Sequence, residues 1–170
     1  LHEKFYLDAL EPAKHYQTIS KDPESASNLL GIIYTKLGHL KEAKDTLQAY
    51  LDVHGDSGVV ITNLAKVIAA EGNPEESIRT LWRALKVDPN QDNALIWWSA
   101  IHYEKGGIDA RNSAIRKVAE LHGSWRPQLW IARIYLEAGE KDKALDIYES
   151  VLSTDAASRG DALMMITGDL

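Results

Sequence analysis

The sequence predicts an all-α fold, an alpha–alpha solenoid built from stacked antiparallel helix pairs. Three observations predict it. Gly38, Gly72, Gly106 and Gly139 recur at steps of 34, 34 and 33 residues, and a fixed period of this length marks a helical-repeat array. Further columns keep the step. Gly31, Ala65, Ser99 and Ala132 are small, Tyr34, Ile68, His102 and Tyr135 follow three residues later, and Leu47, Leu81, Ile115 and Tyr148 are large. Between the glycines, apolar residues fall three and four apart, which is the helical period.

Each element follows in order. Residues 1–20 have a helical pattern, with Phe5, Tyr6, Leu7, Leu10 and Tyr16 available for packing. Pro12 predicts a kink there or a helix that starts at that point. This stretch is expected to be a flanking helix or a decayed repeat covering 1–23. Four units follow, at 24–57, 58–91, 92–124 and 125–158. In each, a first helix ends at the column glycine, which takes a left-handed backbone cheaply. A second helix then folds back, and the small residue of the first helix lets it come close. One such pair has too little core to stand alone, so neighbours complete it and the hairpins spread into a curved array. In the third unit Arg111 stands where the others have a small residue, and Ala110 and Ala114 are expected to take over its packing. The residue missing from the period falls near Gly123, and Pro127 suits the first turn of the next helix. Residues 159–170 are expected to be a capping helix or the start of a fifth repeat, with Ala162, Leu163, Met165 and Ile166 covering the fourth unit. Leu1 stands where a start Met would be, so a segment of a longer protein is expected.

These columns resemble the tetratricopeptide repeat (TPR) family. The first unit offers Leu30-Gly31, Tyr34, Gly38, Ala43, Leu47 and Tyr50, and the fourth offers Ile131-Ala132, Tyr135, Gly139, Ala144, Tyr148 and Val151. The resemblance covers residues 24–158. It implies a right-handed superhelical array whose first helices line a concave, partner-binding face. Carried over by position, the implied groove includes Asn28 and Lys66 in the first half, which reads as mild and small. The second half is more anchoring, with Ile96, Ala100, Tyr103, Arg126, Leu129, Arg133 and Leu136. Trp97 and Trp130 share one position in successive first helices, where they either stack between helices or form an aromatic part of the groove. The expected ligand is a peptide with an apolar residue and a nearby carboxylate. The clamp that some family members close on a C-terminal carboxylate is not expected. Of its five positions, filled here by Asn28, Ile32, Asn63, Asn93 and Trp97, only Asn63 matches.

Composition narrows the function classes. Apolar residues make up 45% and charged residues 26%, as in a folded domain. With 25 acidic against 19 basic residues the formal charge is -6, so nucleic acid is not an expected partner. Cys is absent, which excludes disulfides, thiolate catalysis and Cys-ligated metals but does not fix the compartment, although the cytoplasm is favoured. No apolar run approaches the roughly 20 residues of a membrane span, so membrane insertion is not expected.

Motifs for catalysis, phosphate loops or metal pairs are missing from the sequence. His102 sits in the Tyr column and reads as a half-buried packing residue. His39 and His54 fall at helix ends. Glu42, Asp45, Glu75, Glu76, Glu140 and Asp142 lie at the starts of second helices, where they meet free N–H groups and the positive dipole end. The chain is therefore expected to be no enzyme and to need no cofactor or metal. It reads as a protein-binding scaffold or adaptor. The alternatives are a regulatory or assembly module of a larger protein, such as an enzyme or an envelope or secretion factor, and an RNA-binding helical repeat. Self-association through the end helices is a further expectation to test.

Overall fold

The computed structural model describes residues 2–154 and 159–169. Leu1, residues 155–158 at the end of the expected fourth unit, and Leu170 lie outside the described residues. All regular structure among the described residues is helical: α1 (His2–Ile19), α2 (Pro23–Lys36), α3 (Leu40–His54), α4 (Gly58–Ala70), α5 (Pro74–Val87), α6 (Asp92–Ala119), α7 (Arg126–Glu137), α8 (Lys141–Thr154) and α9 (Arg159–Asp169). The expected all-α solenoid class is the one found. The chain divides into two compact units, Leu1–Val87 and Asp88–Leu170.

Local chemistry fixes the helix ends. Asp22, Ser57 and Gln91 accept from the backbone N–H groups of Ser25, Val60 and Ala94, capping α2, α4 and α6. The hydrogen bonds from Ser25 hold the Asp22 carboxyl below its usual range. Three first helices end alike. The N–H of the residue after the column glycine reaches back five residues, from His39 to the Tyr34 carbonyl at 2.9 Å, from Asn73 to Ile68 at 3.1 Å and from Glu140 to Tyr135 at 2.8 Å. Gly38, Gly72 and Gly139 take φ of 76°, 85° and 78° to allow it.

The third unit corrects the expectation for its glycine. The two halves of α6 meet at Gly106–Gly107, and the left-handed residue is Gly107, at φ 67°, not the column glycine. Gly106 serves close approach instead, because a Cβ there would lie 2.8 Å from the Ala110 Cβ.

In the first unit α2 pairs with α3 and α4 with α5, while α4 also packs on both α2 and α3. The main core joins Leu47 and Leu51 of α3 to Val60, Ile61, Leu64, Val67 and Ile68 of α4, with Ala84 of α5. Gly31 permits the close approach of α3, since a Cβ there would sit 2.8 Å from the Leu47 side chain. A smaller cluster seats Ala13 of α1 on Leu30 and Ile33 of α2. Helix α1 runs through Pro12 and does not start there. It is lightly packed, with Phe5, Leu7 and Ile19 exposed.

In the second unit α6 packs on α7, α7 pairs with α8, and α9 lies on both α7 and α8. Leu129, Ala132, Ala144, Tyr148 and Val151 form the core, which Ala162 and Ile166 of α9 close. Leu163 does not join this cover, because it points to solvent. Pro127 occupies the first turn of α7, as the sequence suggested.

Candidate functional site

The implied groove positions separate by burial. The fifth position of each unit is Asn28, Thr62, Ile96 and Leu129. Asn28, Thr62 and Leu129 are buried, and only Ile96 is exposed. The ninth, at Ile32, Lys66, Ala100 and Arg133, is exposed throughout. So is the thirteenth, at Lys36, Ala70, Glu104 and Glu137, one helical turn further on. The ninth and thirteenth positions are therefore the accessible ones.

Three residues of the expected groove are used by the fold itself. Leu129 is 1% exposed and belongs to the core of the second unit. Asn28 is buried, and its Oδ1 accepts from Asn63 Nδ2 at 3.0 Å. These two asparagines, which fill clamp positions, are thus bound to each other. Arg126 is held on every side. Its Nε donates to the Asn90 carbonyl at 2.9 Å, its Nη1 reaches Asp92 at 3.3 Å, and its guanidinium lies 4.8 Å from the Trp125 ring centroid. Asn90 completes this staple. Its Oδ1 accepts from the backbone N–H of Trp125 and Arg126, at 2.7 and 2.9 Å, where α7 has no side-chain cap of its own. Arg126 thus anchors the start of α7.

The remaining second-unit residues come together on two helices. Ile96, Ala100 and Tyr103 are exposed at i, i+4 and i+7 along the first half of α6. Ser99 lies on the same stripe and lines an open pocket of about 180 Å³ with Arg111, Ile115, Trp130, Arg133, Ile134 and Glu137. Trp130, Arg133, Ile134 and Glu137 share one face of α7 by the same spacing. The pocket therefore has an apolar wall of Ile115, Ile134 and Trp130, two guanidinium groups and one carboxylate. Trp97 is half-buried, and Leu136 packs against the core while keeping part of its side chain accessible.

Sequence reasoning treated Arg111 only as a packing fault, whereas it is a pocket wall. Its guanidinium donates to the neighbouring Asn112 Oδ1 at 3.1 Å from both Nε and Nη2. The signal was the residue itself, since a charged side chain in a column of Ala43, Ser77 and Ala144 cannot be buried as they are.

Histidine and tryptophan positions read as packing. His102 Nδ1 donates to the Trp98 carbonyl at 2.8 Å, and the two rings lie 4.2 Å apart. His54 stacks on Tyr50 at 4.8 Å. Trp98 is buried, and its Nε1 donates to the Ala114 carbonyl at 3.2 Å, tying the two halves of α6 together.

Two family models described as tetratricopeptide repeat match the sequence, at residues 25–53 and 128–158. They fall on the first and fourth helix pairs, α2–α3 and α7–α8. Over these two segments the chain carries tetratricopeptide repeats. Solved TPR proteins share the fold. One from Parabacteroides merdae is 20% identical with a TM-score of 0.51, over 95% of this chain and 67% of its own. A thermophilic TPR protein of Thermus thermophilus is 19% identical with a TM-score of 0.53, over 95% of this chain and 91% of its own. No curated protein matches the sequence. TPR folds generally serve as non-enzymatic scaffolds that bind protein or peptide partners. No helix among the described residues is long and apolar enough to cross a membrane.

Proposed function

We propose that this TPR protein is a non-enzymatic interaction scaffold or adaptor that takes a peptide or helix of a partner protein on its first helices. Its four repeats are taken as 24–57, 58–91, 92–124 and 125–158. The groove lies on the second unit, along Ile96, Ala100 and Tyr103 of α6 and Trp130 and Arg133 of α7. One observation carries the reading. An exposed apolar stripe with an aromatic ring adjoins a pocket that combines apolar walls with Arg111 and Arg133. Such a surface offers area for an apolar anchor and a charge for a nearby carboxylate. Leu129 and Arg126 support this surface from behind and are not counted as contacts.

The test compares captured partners. Affinity capture with mass spectrometry is run in parallel on the wild-type protein, Tyr103→Ala and Arg133→Gln. A partner held by the groove is enriched by the wild-type protein and depleted on both variants, while their circular dichroism stays unchanged. Equal recovery on all three would place the binding surface elsewhere.

A further inference from the structure

The first half of the groove, which reads in the sequence as mild and small, holds a pair of lysines on one pocket. Lys66 of α4 is equivalent to Ile32 of α2, 34 residues earlier, and Lys36 follows Ile32 by one helical turn. Because α4 packs on α2, this arithmetic brings the two side chains together. Ile32, Thr35, Lys36, Asn63 and Lys66 line a pocket of about 240 Å³.

Among the described residues, the charged neighbour that Lys66 feels is Lys36. The ion-pairing carboxylates of this unit are engaged elsewhere, Glu11 with Lys14, Asp45 with Lys41, Glu71 with Lys44 and Asp56 with Arg83. Among the described residues, neither the Lys36 nor the Lys66 ammonium has an ion pair or hydrogen-bond partner. The polar neighbours donate elsewhere. The Thr35 hydroxyl donates to the Gly31 carbonyl at 2.6 Å, and the Asn63 amide donates to Asn28. Although Lys66 as a residue is exposed, protein atoms crowd its ammonium. That burial first, and Lys36 second, push it below the usual lysine range. Two like charges held together over an apolar wall are relieved by an anion placed between them.

We propose that Lys36 and Lys66 form a binding site for the acidic side chain of a partner peptide, with Ile32 receiving an adjacent apolar residue. An acidic peptide fits better than a nucleic acid. The chain carries a formal charge of -6, which repels a polyphosphate at long range, whereas a single carboxylate feels mainly the two ammonium groups beside it. The site belongs to the first unit alone, so it stands or falls independently of the groove on the second.

The experiment uses fluorescence anisotropy of a labelled Ala-Leu-Glu-Glu-Leu-Ala peptide on the whole chain, with Ala-Leu-Gln-Gln-Leu-Ala as its neutral twin. The glutamate peptide is expected to bind about tenfold more tightly, the size of two partly screened charge contacts. The Lys36→Gln/Lys66→Gln double variant should abolish the difference. Tyr103→Ala and Arg133→Gln should preserve it, which separates this site from the second-unit groove. Circular dichroism of the double variant confirms that its helices persist. Equal binding of the two peptides, or a preference that survives loss of both lysines, would overturn the proposal. So would displacement of the glutamate peptide by a stoichiometric oligothymidine, which would identify a phosphate site.

Discussion

The helix pairs proposed as the second and third repeats build the same hairpin by different means. In the second, α4 ends at a left-handed Gly72, and Ser77 of α5 sits at the closest approach, where its Oγ donates to the Ala65 carbonyl at 2.8 Å. Ser77 is 2% exposed, and Leu81, Ala84 and Leu85 behind it are fully buried. In the third, the column glycine is not the left-handed one, and Arg111 occupies the position of Ser77. The contact is replaced by Trp98, whose indole N–H bonds the Ala114 carbonyl, and the space beside Arg111 stays open as a pocket. A repeat can therefore lose its small residue and keep its hairpin, provided another side chain ties the helices. What it gives up in packing becomes a surface with charge and shape.

The severest way to break this comparison is to place the arginine of the third repeat in the second. Ser77→Arg would force a guanidinium between α4 and α5, where Ser77 is 2% exposed and its Oγ bonds the Ala65 carbonyl. A buried charge without a partner costs about 4 kcal/mol. Urea denaturation followed by circular dichroism should show that loss. A cost under about 1 kcal/mol would mean that the second hairpin opens as readily as the third, and that Arg111 has no special setting.

The complementary change removes the tie. Trp98→Phe keeps most of the buried ring and deletes the N–H that reaches Ala114. A single buried hydrogen bond and the lost ring area together should cost about 1–2 kcal/mol. Hydrogen exchange should rise in the second half of α6 before it rises in α7. Uniform exchange across the unit would show that Trp98 only fills volume.

The same contrast explains what could be read from the sequence. Helices, their pairing and the small-residue columns were legible, because a 34-residue step repeats the same steric requirement four times. The roles of Arg126 and Leu129 were not. Arg126 is fixed by Asn90, which lies 36 residues earlier in a turn with no periodic signature. Leu129 stands at a position that the family pattern assigns to the groove, yet that position is buried in three of the four places it occurs, at Asn28, Thr62 and Leu129. Lys36 and Lys66 stand one repeat less one helical turn apart, yet this half reads as mild and small in the sequence. Only the packing of α2 on α4 brings both lysines to one pocket.

Arg111→Ala restores the small residue and has the smallest expected effect on stability. Among the described residues the half-buried guanidinium bonds only its neighbour Asn112, and alanine suits a helix at least as well. Truncating the side chain also leaves the Trp98 tie in place. Stability should therefore stay within about 0.5 kcal/mol of the wild-type protein, as measured by thermal denaturation. Partner capture should fall by contrast, because the pocket loses one of its two guanidinium groups while Arg133 remains. Unchanged stability with weakened capture would place the third repeat's departure from the pattern in recognition. A loss of stability as large as that of Trp98→Phe would instead make Arg111 a second structural tie, and the difference between the two repeats would be one of packing alone.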